Sequence, residues 1–321
     1  MLLAWRDCPW EGSGCSKLCR CAGNYTLSCV DNTCGPTEEC REVGGIHGCY
    51  PKDSSTCTAT TDPHYTTFDK RSYNFMGNCT YLISEACNST DVPYFAVYAE
   101  NENRYNIPTI SYVSAVHVHV LGVKVSVLKG GIVQLNGTNV NVPLSPAPGV
   151  DVFKSGTMYT VVMKFGVTVR YDGNQYMDIK VIKDYQNKLC GLCGDYNGNA
   201  MDDFRTPSGE LVSGPTEFGN SWNTDPDCNK SPVDPNPGCT ETEEELYESP
   251  AYCGIILDRE GPFAACHPKV NPNTFFKNCV FDLCALGGPH SALCEAIEAY
   301  VNECQDRGCQ HRTLEKQNLL S

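Results

Sequence analysis

The feature that most restricts this chain is its cysteine pattern. Twenty-two of 321 residues are cysteine, and they fall into three blocks. Cys8, Cys15, Cys19, Cys21, Cys29, Cys34, Cys40 and Cys49 make the first. Cys57, Cys79, Cys87, Cys190, Cys193 and Cys228 make the second. Cys239, Cys253, Cys266, Cys279, Cys284, Cys294, Cys304 and Cys309 make the third. Each block holds an even number, as self-contained disulfide modules would. So many thiols are a liability in a reducing cytosol unless they bind metal or do chemistry, so the pattern points to an oxidising, extracellular compartment. An intracellular zinc protein would show paired CxxC or Cys/His ligand sets, and these cysteines do not form them.

Charge narrows the class further. Lys and Arg total 24 against 38 Asp and Glu, a net charge of −14. That balance speaks against nucleic-acid binding, because the phosphate backbone rewards basic patches. It suits a soluble protein, or one that collects cations. No apolar run reaches the roughly 18 residues of a membrane span. Met1 to Trp5 is too short for a secretory leader, and Asp7 and Cys8 follow at once. The chain therefore reads as a piece of a longer secreted protein whose leader lies upstream.

Residues 8–52 are turn-rich and low in aliphatics, so bridges must hold them in a small disulfide-rich β module. From Cys87 to Cys190 there is no cysteine, and apolar residues alternate with period two. That alternation predicts strands at 94–98, 110–121, 123–128, 132–135, 158–171 and 177–182. Gly130-Gly131, Asn136-Gly137 and Asp172-Gly173 punctuate them as turns. Residues 55–229 thus read as an antiparallel β-sandwich with its own hydrophobic core. The period then changes. Thr240-Glu241-Thr242-Glu243 is a capping box opening a helix through Leu246. Ser291 to Cys304 sets Leu293, Ile297, Tyr300 and Val301 on one helical face. Residues 239–309 read as a small disulfide-rich helical module, 229–238 as a proline-bearing linker and 310–321 as a disordered tail. The expected fold class is mainly β, with the sandwich between a β module and a helical one.

The strongest chemical signal is the run Cys190-Gly191-Leu192-Cys193-Gly194-Asp195-Tyr196-Asn197-Gly198-Asn199-Ala200-Met201-Asp202-Asp203. Asp195, Asn197 and Asn199 alternate as oxygen ligands do in a calcium loop, and Asp202 and Asp203 follow within reach. Gly198 allows a tight turn between ligands. The spacing does not fit an EF-hand, and the same residues could form an Asx-rich turn without an ion.

That run, with Asp62-Pro63-His64-Tyr65-Thr66-Thr67-Phe68-Asp69 and Gly77-Asn78-Cys79-Thr80-Tyr81 upstream, resembles the von Willebrand factor type D domain. The first block resembles the trypsin-inhibitor-like-associated cysteine module, and the third the eight-cysteine module that follows such domains. Within the family the likeness is to the group of the IgGFc-binding protein, zonadhesin and α-tectorin. The resemblance implies a β-sandwich with one structural Ca2+. Its ligands would be Asp69, Asp195, Asn197, Asn199, Asp202, Asp203 and the backbone carbonyl of Met201. It also implies the pairs Cys57–Cys193, Cys79–Cys228 and Cys87–Cys190.

Other chemistries compete for the same residues. Cys190 and Cys193 form a CxxC, which can be a redox pair serving thiol–disulfide exchange during multimer assembly. No thioredoxin-like βαβ pattern surrounds it, and each thiol has an outside partner to pair with. Some relatives cleave themselves at the Asp-Pro bond of Gly-Asp-Pro-His, but Thr61 replaces the glycine before Asp62-Pro63 here, which removes backbone freedom at that bond. His117 and His119 share one face of a predicted strand, where a polar sandwich face competes with a zinc pair lacking a third ligand. No nucleophile elbow, phosphate loop or HExxH occurs. Asn24, Asn78, Asn88, Asn136 and Asn229 stand in glycosylation sequons. The expectation is a non-enzymatic, secreted glycoprotein module of extracellular matrix or mucus, adhesive or structural. Its partners would be other matrix or mucus glycoproteins, or further copies through self-assembly, with no nucleic acid and no membrane span.

Overall fold

The computed structural model describes residues 15–22, 26–61, 63–87, 90–104, 107, 110–228 and 238–309. The first block forms two hairpins. β1 (Lys17–Ala22) pairs with β2 (Thr26–Asp31), and β3 (Glu38–Val43) pairs with β4 (Ile46–Pro51), both antiparallel. Bridges Cys15–Cys40 and Cys34–Cys49 hold this block, and Cys8 lies outside the described residues. Ion pairs Lys52–Asp184 and Glu39–Lys183 join it to the sandwich.

The sandwich follows in chain order as β5 (Ser54–Thr60), β6 (His64–Thr66), β7 (Ser72–Asn74), β8 (Thr80–Ala86), β9 (Phe95–Asn103), β10 (Ser111–Val120), β11 (Val123–Leu128), β12 (Ile132–Leu135), β13 (Thr138–Val140), β14 (Leu144–Ala147), β15 (Val150–Ser155), β16 (Met158–Met163), β17 (Val167–Tyr171), β18 (Met177–Ile182) and β19 (Leu189–Cys190). One sheet runs β13-β12-β11-β10-β9-β8-β19, the other β14-β15-β16-β17-β18-β5-β6-β7. Alternation places the side chains. On β17, Val167, Val169 and Tyr171 are buried while Thr168 and Arg170 are not. The inner faces meet in one cluster: Phe95, Val97, Val113 and Val118 from one sheet, Val152, Val161, Val169 and Ile179 from the other. A fully buried side chain of this kind contributes roughly 1.5–3 kcal/mol over its exposed state.

The segment 158–171 is two strands rather than the one its alternation predicts. The chain turns at Gly166, with φ +104° and its N–H donating to Met163 O at 2.9 Å. Only glycine takes that backbone readily, and the apolar Phe165 beside it kept the alternation intact across the turn. The hairpin at Asp172-Gly173 forms, with Tyr171 opposite Met177. Asp172 Oδ1 accepts the N–H groups of Asn174, Gln175 and Tyr176 and organises the loop.

Four α-helices follow among the described residues: α1 (Pro215–Ser221), α2 (Glu241–Glu248), α3 (Pro272–Leu286) and α4 (His290–Asp306). α2 has the expected capping box between Thr240 and Glu243. α4 contains the helical face read from the sequence. α3 went unread, although Asn271 as cap, Pro272 in the first turn and left-handed Gly287 after the end are its start and stop signals. These helices enclose a second core of Tyr247, Ile256, Phe263, Leu283 and Tyr300, together with Cys253, Cys266, Cys279 and Cys304. The bridges are Cys239–Cys284, Cys253–Cys279 and Cys266–Cys304. Cys294 and Cys309 are unbonded, so the even count of this block does not close on itself. Cys309 N donates to Cys304 O at 2.9 Å, at the end of α4 about 15 Å of helix beyond Cys294, whereas a bridge needs Cα atoms within about 7 Å.

The helical module docks on the sandwich through buried polar contacts. His64 Nε2 lies 2.6 Å from Asp282 Oδ1, with both side chains 2 % exposed. Arg104 pairs with Glu295 of α4. No helix of the described residues is long and apolar enough to cross a membrane.

Candidate metal centre

The loop after β19 is held against the sandwich by its backbone. Leu192 N donates to Leu82 O at 3.1 Å and Cys193 N to Ile83 O at 2.9 Å. Gly191 has φ +110°, and a Cβ there would sit 2.7 Å from Ile83 O, so this close approach requires glycine. Three bridges fasten the surroundings: Cys57–Cys193, Cys79–Cys228 and Cys87–Cys190, closing 136, 149 and 103 residues of chain. Cys190 and Cys193 therefore bond to separate partners and not to each other.

Beyond the second cysteine, carboxylates converge. Asp69, Asp195 and Asp203 each place an oxygen within 4.8 Å of the others. Asp69 reaches in from the turn between β6 and β7. Its Oδ2 accepts Asn197 N–H at 2.9 Å and its Oδ1 accepts Gly198 N–H at 2.8 Å. The Asn197 side-chain amide donates to Asp195 Oδ2 at 3.1 Å and to both Asp202 oxygens at 3.1 Å. A half-turn of that amide would present an oxygen to the same carboxylates instead. Asn199 is set apart, its Oδ1 accepting Met201 N–H at 3.2 Å and capping the short turn of residues 200–202. Met201 O accepts from Arg71 Nη1 at 3.2 Å.

Asp203 is the most telling member. It is 2 % exposed. Thr67 Oγ1 donates to its Oδ2 at 2.6 Å, while its Oδ1 has no hydrogen-bond partner among the described residues. Burial pushes this carboxyl up to about 7, partly offset by the Thr67 hydrogen bond, with Asp69, Asp195 and Asp202 adding repulsion. Asp195 is also raised, first by burial and then by the charges of Asp202 and Asp69. A Cβ on Gly194 would overlap Asp203 Oδ1, so the glycine keeps space beside that oxygen. A cleft of about 420 Å³ opens next to the cluster, lined by Asp195, Asp202, Asp203, Arg205 and Trp222.

An all-oxygen donor set of clustered carboxylates and amides is the chemistry of a hard divalent cation, and calcium tolerates the irregular geometry best. A buried oxygen without a donor is costly unless something positive meets it. The residues present therefore fit calcium. Two contributors were not singled out from the sequence. Thr67 stands two places before Asp69, in the motif that carried the resemblance. Arg71 holds the carbonyls of Ala200 and Met201 while stacked 3.3 Å from the Phe204 ring centre, and no local spacing announces so distant a partner.

The remaining expected sites scatter. His117 Nδ1 lies 2.8 Å from Ser126 Oγ and its Nε2 3.6 Å from Glu100, whereas His119 packs on Tyr98. Burial, then Lys124, lowers both imidazoles, which favours their neutral forms. Asn78 is exposed beside the Cys79–Cys228 bridge, and Asn136 is exposed in a turn. Asp62, Asn24, Asn88 and Asn229 lie outside the described residues.

Comparison with known proteins places this geometry. The family model for the von Willebrand factor type D domain matches residues 57–210, and that for the C8 domain matches residues 252–318. Zonadhesin of Homo sapiens is 37 % identical over 310 residues, which cover 93 % of this chain and 11 % of that protein. Alpha-tectorin of Homo sapiens is 36 % identical over 307 residues, covering 93 % of this chain and 14 % of that protein. IgGFc-binding protein of Homo sapiens is 37 % identical over 316 residues, covering 93 % of this chain and 6 % of that protein. The chain thus spans a small fraction of the length of these relatives.

Proposed function

The chain carries a von Willebrand factor type D domain followed by a C8 domain, and from that premise we propose that it is a secreted, non-enzymatic structural or adhesive module of extracellular matrix or mucus, stapled by disulfides and stabilised by calcium. The observation that carries the calcium reading is Asp203, a buried carboxylate with an oxygen that no group among the described residues meets, inside a cluster of acids. Asp69 comes from the β6–β7 turn and Asp195, Asp202 and Asp203 from the loop after β19. A cation held by these groups would join the β6–β7 turn to the loop that the Cys57–Cys193 bridge ties to β5. When bound, calcium would supply charge neutralisation and a cross-link, and the chain's own residues would do the positioning. Thr67 orients Asp203, Arg71 fixes the turn of residues 200–202, and glycine at 194 leaves room.

The bridges support an extracellular setting, since thiols of this number persist as disulfides only where the compartment is oxidising. They also support a load-bearing role, because each links segments more than a hundred residues apart in the type D domain. Partners in this reading are other matrix or mucus glycoproteins, including further copies of such modules.

The test is a calcium titration of the secreted chain by calorimetry, paired with thermal melts in calcium and in chelator. Saturating calcium should raise the melting temperature of the wild type, and Asp203→Asn should remove most of the shift. A ligand at one hundred times its Kd stabilises by about 2.7 kcal/mol. No heat of binding and identical melts would end the calcium reading.

A further inference from the structure

A second polar site lies where the two modules meet, on the face of the sandwich away from its core. There the end of α4 covers β5, β17 and β18, leaving a cleft of about 400 Å³. Strand register builds its floor. Thr168 on β17 stands opposite Lys180 on β18, which stands opposite Thr56 on β5, so one cross-strand row carries hydroxyl, ammonium and hydroxyl. Their neighbours in sequence, Val169, Ile179 and Cys57, face the core.

Charge is what sets this cleft apart. Its walls hold four cations, Lys70, Arg170, Lys180 and Arg307, against two acids, Asp178 and Glu303. Both acids are already taken. Asp178 is 1 % exposed and grips Arg170, with Nη2–Oδ2 at 2.6 Å and Nε–Oδ2 at 2.9 Å. Glu303 accepts from Arg307 Nε at 3.1 Å. Lys70 donates only to the carbonyl of Thr56, at 2.7 Å, and neither it nor Lys180 has a carboxylate within ion-pair distance among the described residues. In a chain of net charge −14, two ammonium groups without a direct carboxylate partner among the described residues converge on one concave, hydroxyl-bearing surface, with Glu303 and Asp69 acting on Lys70 only from beyond ion-pair distance. Like charges held together raise the energy of the empty cleft and favour an anion within it. Two acids already paired to arginines offer a cation nothing.

We infer that this inter-module cleft binds an oxyanion, a sulfate or carboxylate group, held by Lys70, Lys180 and Arg307 with hydroxyls of the strand row. For an extracellular chain the two sources of that chemistry are the acidic groups of a sulfated glycan and the free ion. The inference does not depend on calcium.

The experiment is calorimetry on the whole chain with three probes: sodium sulfate, a chondroitin sulfate hexasaccharide, and a neutral chitin hexasaccharide. The sulfated hexasaccharide and sulfate should bind and the neutral sugar should not, with affinity falling as sodium chloride is raised. Lys180→Glu and Arg307→Glu should each weaken binding by about tenfold or more, the usual loss for a charge-assisted hydrogen bond. Lys124→Glu, exposed on the other sheet, should leave it unchanged. Tighter binding of the sulfated hexasaccharide than of sulfate identifies a glycan, and equal binding identifies the free ion. Absence of binding, equal binding of the neutral sugar, or binding indifferent to Lys180→Glu and Arg307→Glu overturns the inference. Melting curves of each variant, unchanged from wild type, show that a lost affinity is not a lost fold.

Discussion

The sandwich and the helical module depend on cysteine to different degrees. In the sandwich the chain between Cys87 and Cys190 supplies β9 to β18 without a cysteine, and valines, isoleucines and aromatics fill the space between the sheets. Cys57, Cys79 and Cys193 are buried in that core as well, but among a far larger number of aliphatic and aromatic side chains. In the helical module, bridged cysteines are themselves core residues: Cys253, Cys266, Cys279 and Cys304 are at most 2 % exposed and stand among Phe263, Leu283 and Tyr300. The bridges there close only 45, 26 and 38 residues. Loop length alone separates the two sets little, since closure entropy grows with its logarithm. What differs is what remains when a bridge is cut. The sandwich keeps a two-layer core, whereas a small module loses part of the only core it has.

Four measurements would break or sharpen that contrast. The largest effect is expected from Cys266→Ser with Cys304→Ser, at up to about 5 kcal/mol, enough to abolish folding of the helical module. Helical circular dichroism should fall while sheet amides stay protected from hydrogen exchange. The matching pair Cys87→Ser and Cys190→Ser should lower the melting temperature yet leave one cooperative transition, and loss of sheet protection there would refute the contrast.

Asp282→Ala comes next. It leaves His64 buried without its acid, and breaking a buried pair costs about 3 kcal/mol or more. The module should undock, giving faster proteolysis between residues 229 and 238 with the sandwich melt little changed. Unaltered cleavage would mean that docking does not depend on the His64–Asp282 pair and that contacts such as Arg104–Glu295 suffice.

Calcium should then discriminate between the regions, stabilising the sandwich by about 2.7 kcal/mol at one hundred times its Kd and the helical module not at all. Its pH dependence follows from Asp203. This carboxyl sits higher in the folded chain, at about 7, than in the unfolded one. Without metal, its contribution is fully present below the unfolded carboxylate range and is lost as pH rises through about 7. Calcium holds the ionised form, so its stabilising effect should grow up to about pH 7 and fade on acidification. Asp203→Asn should flatten both slopes in melts taken from pH 5 to 8.

The smallest effect is expected at Thr240→Ala, which removes the cap of α2 at about 1 kcal/mol. It should lower helical signal alone, and any change in calcium affinity would show that the two regions are coupled.

Legibility followed the range of the interactions. Strands β11, β12 and β18 lie where period-two alternation put them, because each residue's face is decided by its immediate neighbours. The capping box at Thr240 was readable for the same reason. The turn at Gly166 was masked by apolar Phe165, whereas α3 carries its own local signals in Asn271, Pro272 and Gly287. At the candidate metal site, Asp195, Asn197 and Asn199 announced themselves by spacing, whereas Asp69 came only through family resemblance and Arg71 not at all.

By itself the sequence determined the disulfide-rich class, the change from strand period to helix period near residue 240, and the acid-rich loop after Cys193. Those properties live in composition and in contacts a few residues apart. Only the tertiary structure decided that, among the described residues, Cys294 and Cys309 stay unpaired and Asp203 is buried with an oxygen unmet, that His64 meets Asp282 across 218 residues of chain, and that Lys70, Lys180 and Arg307 converge on one cleft. The physical reason is that burial and charge convergence depend on which distant segments pack together, and no local spacing carries that information.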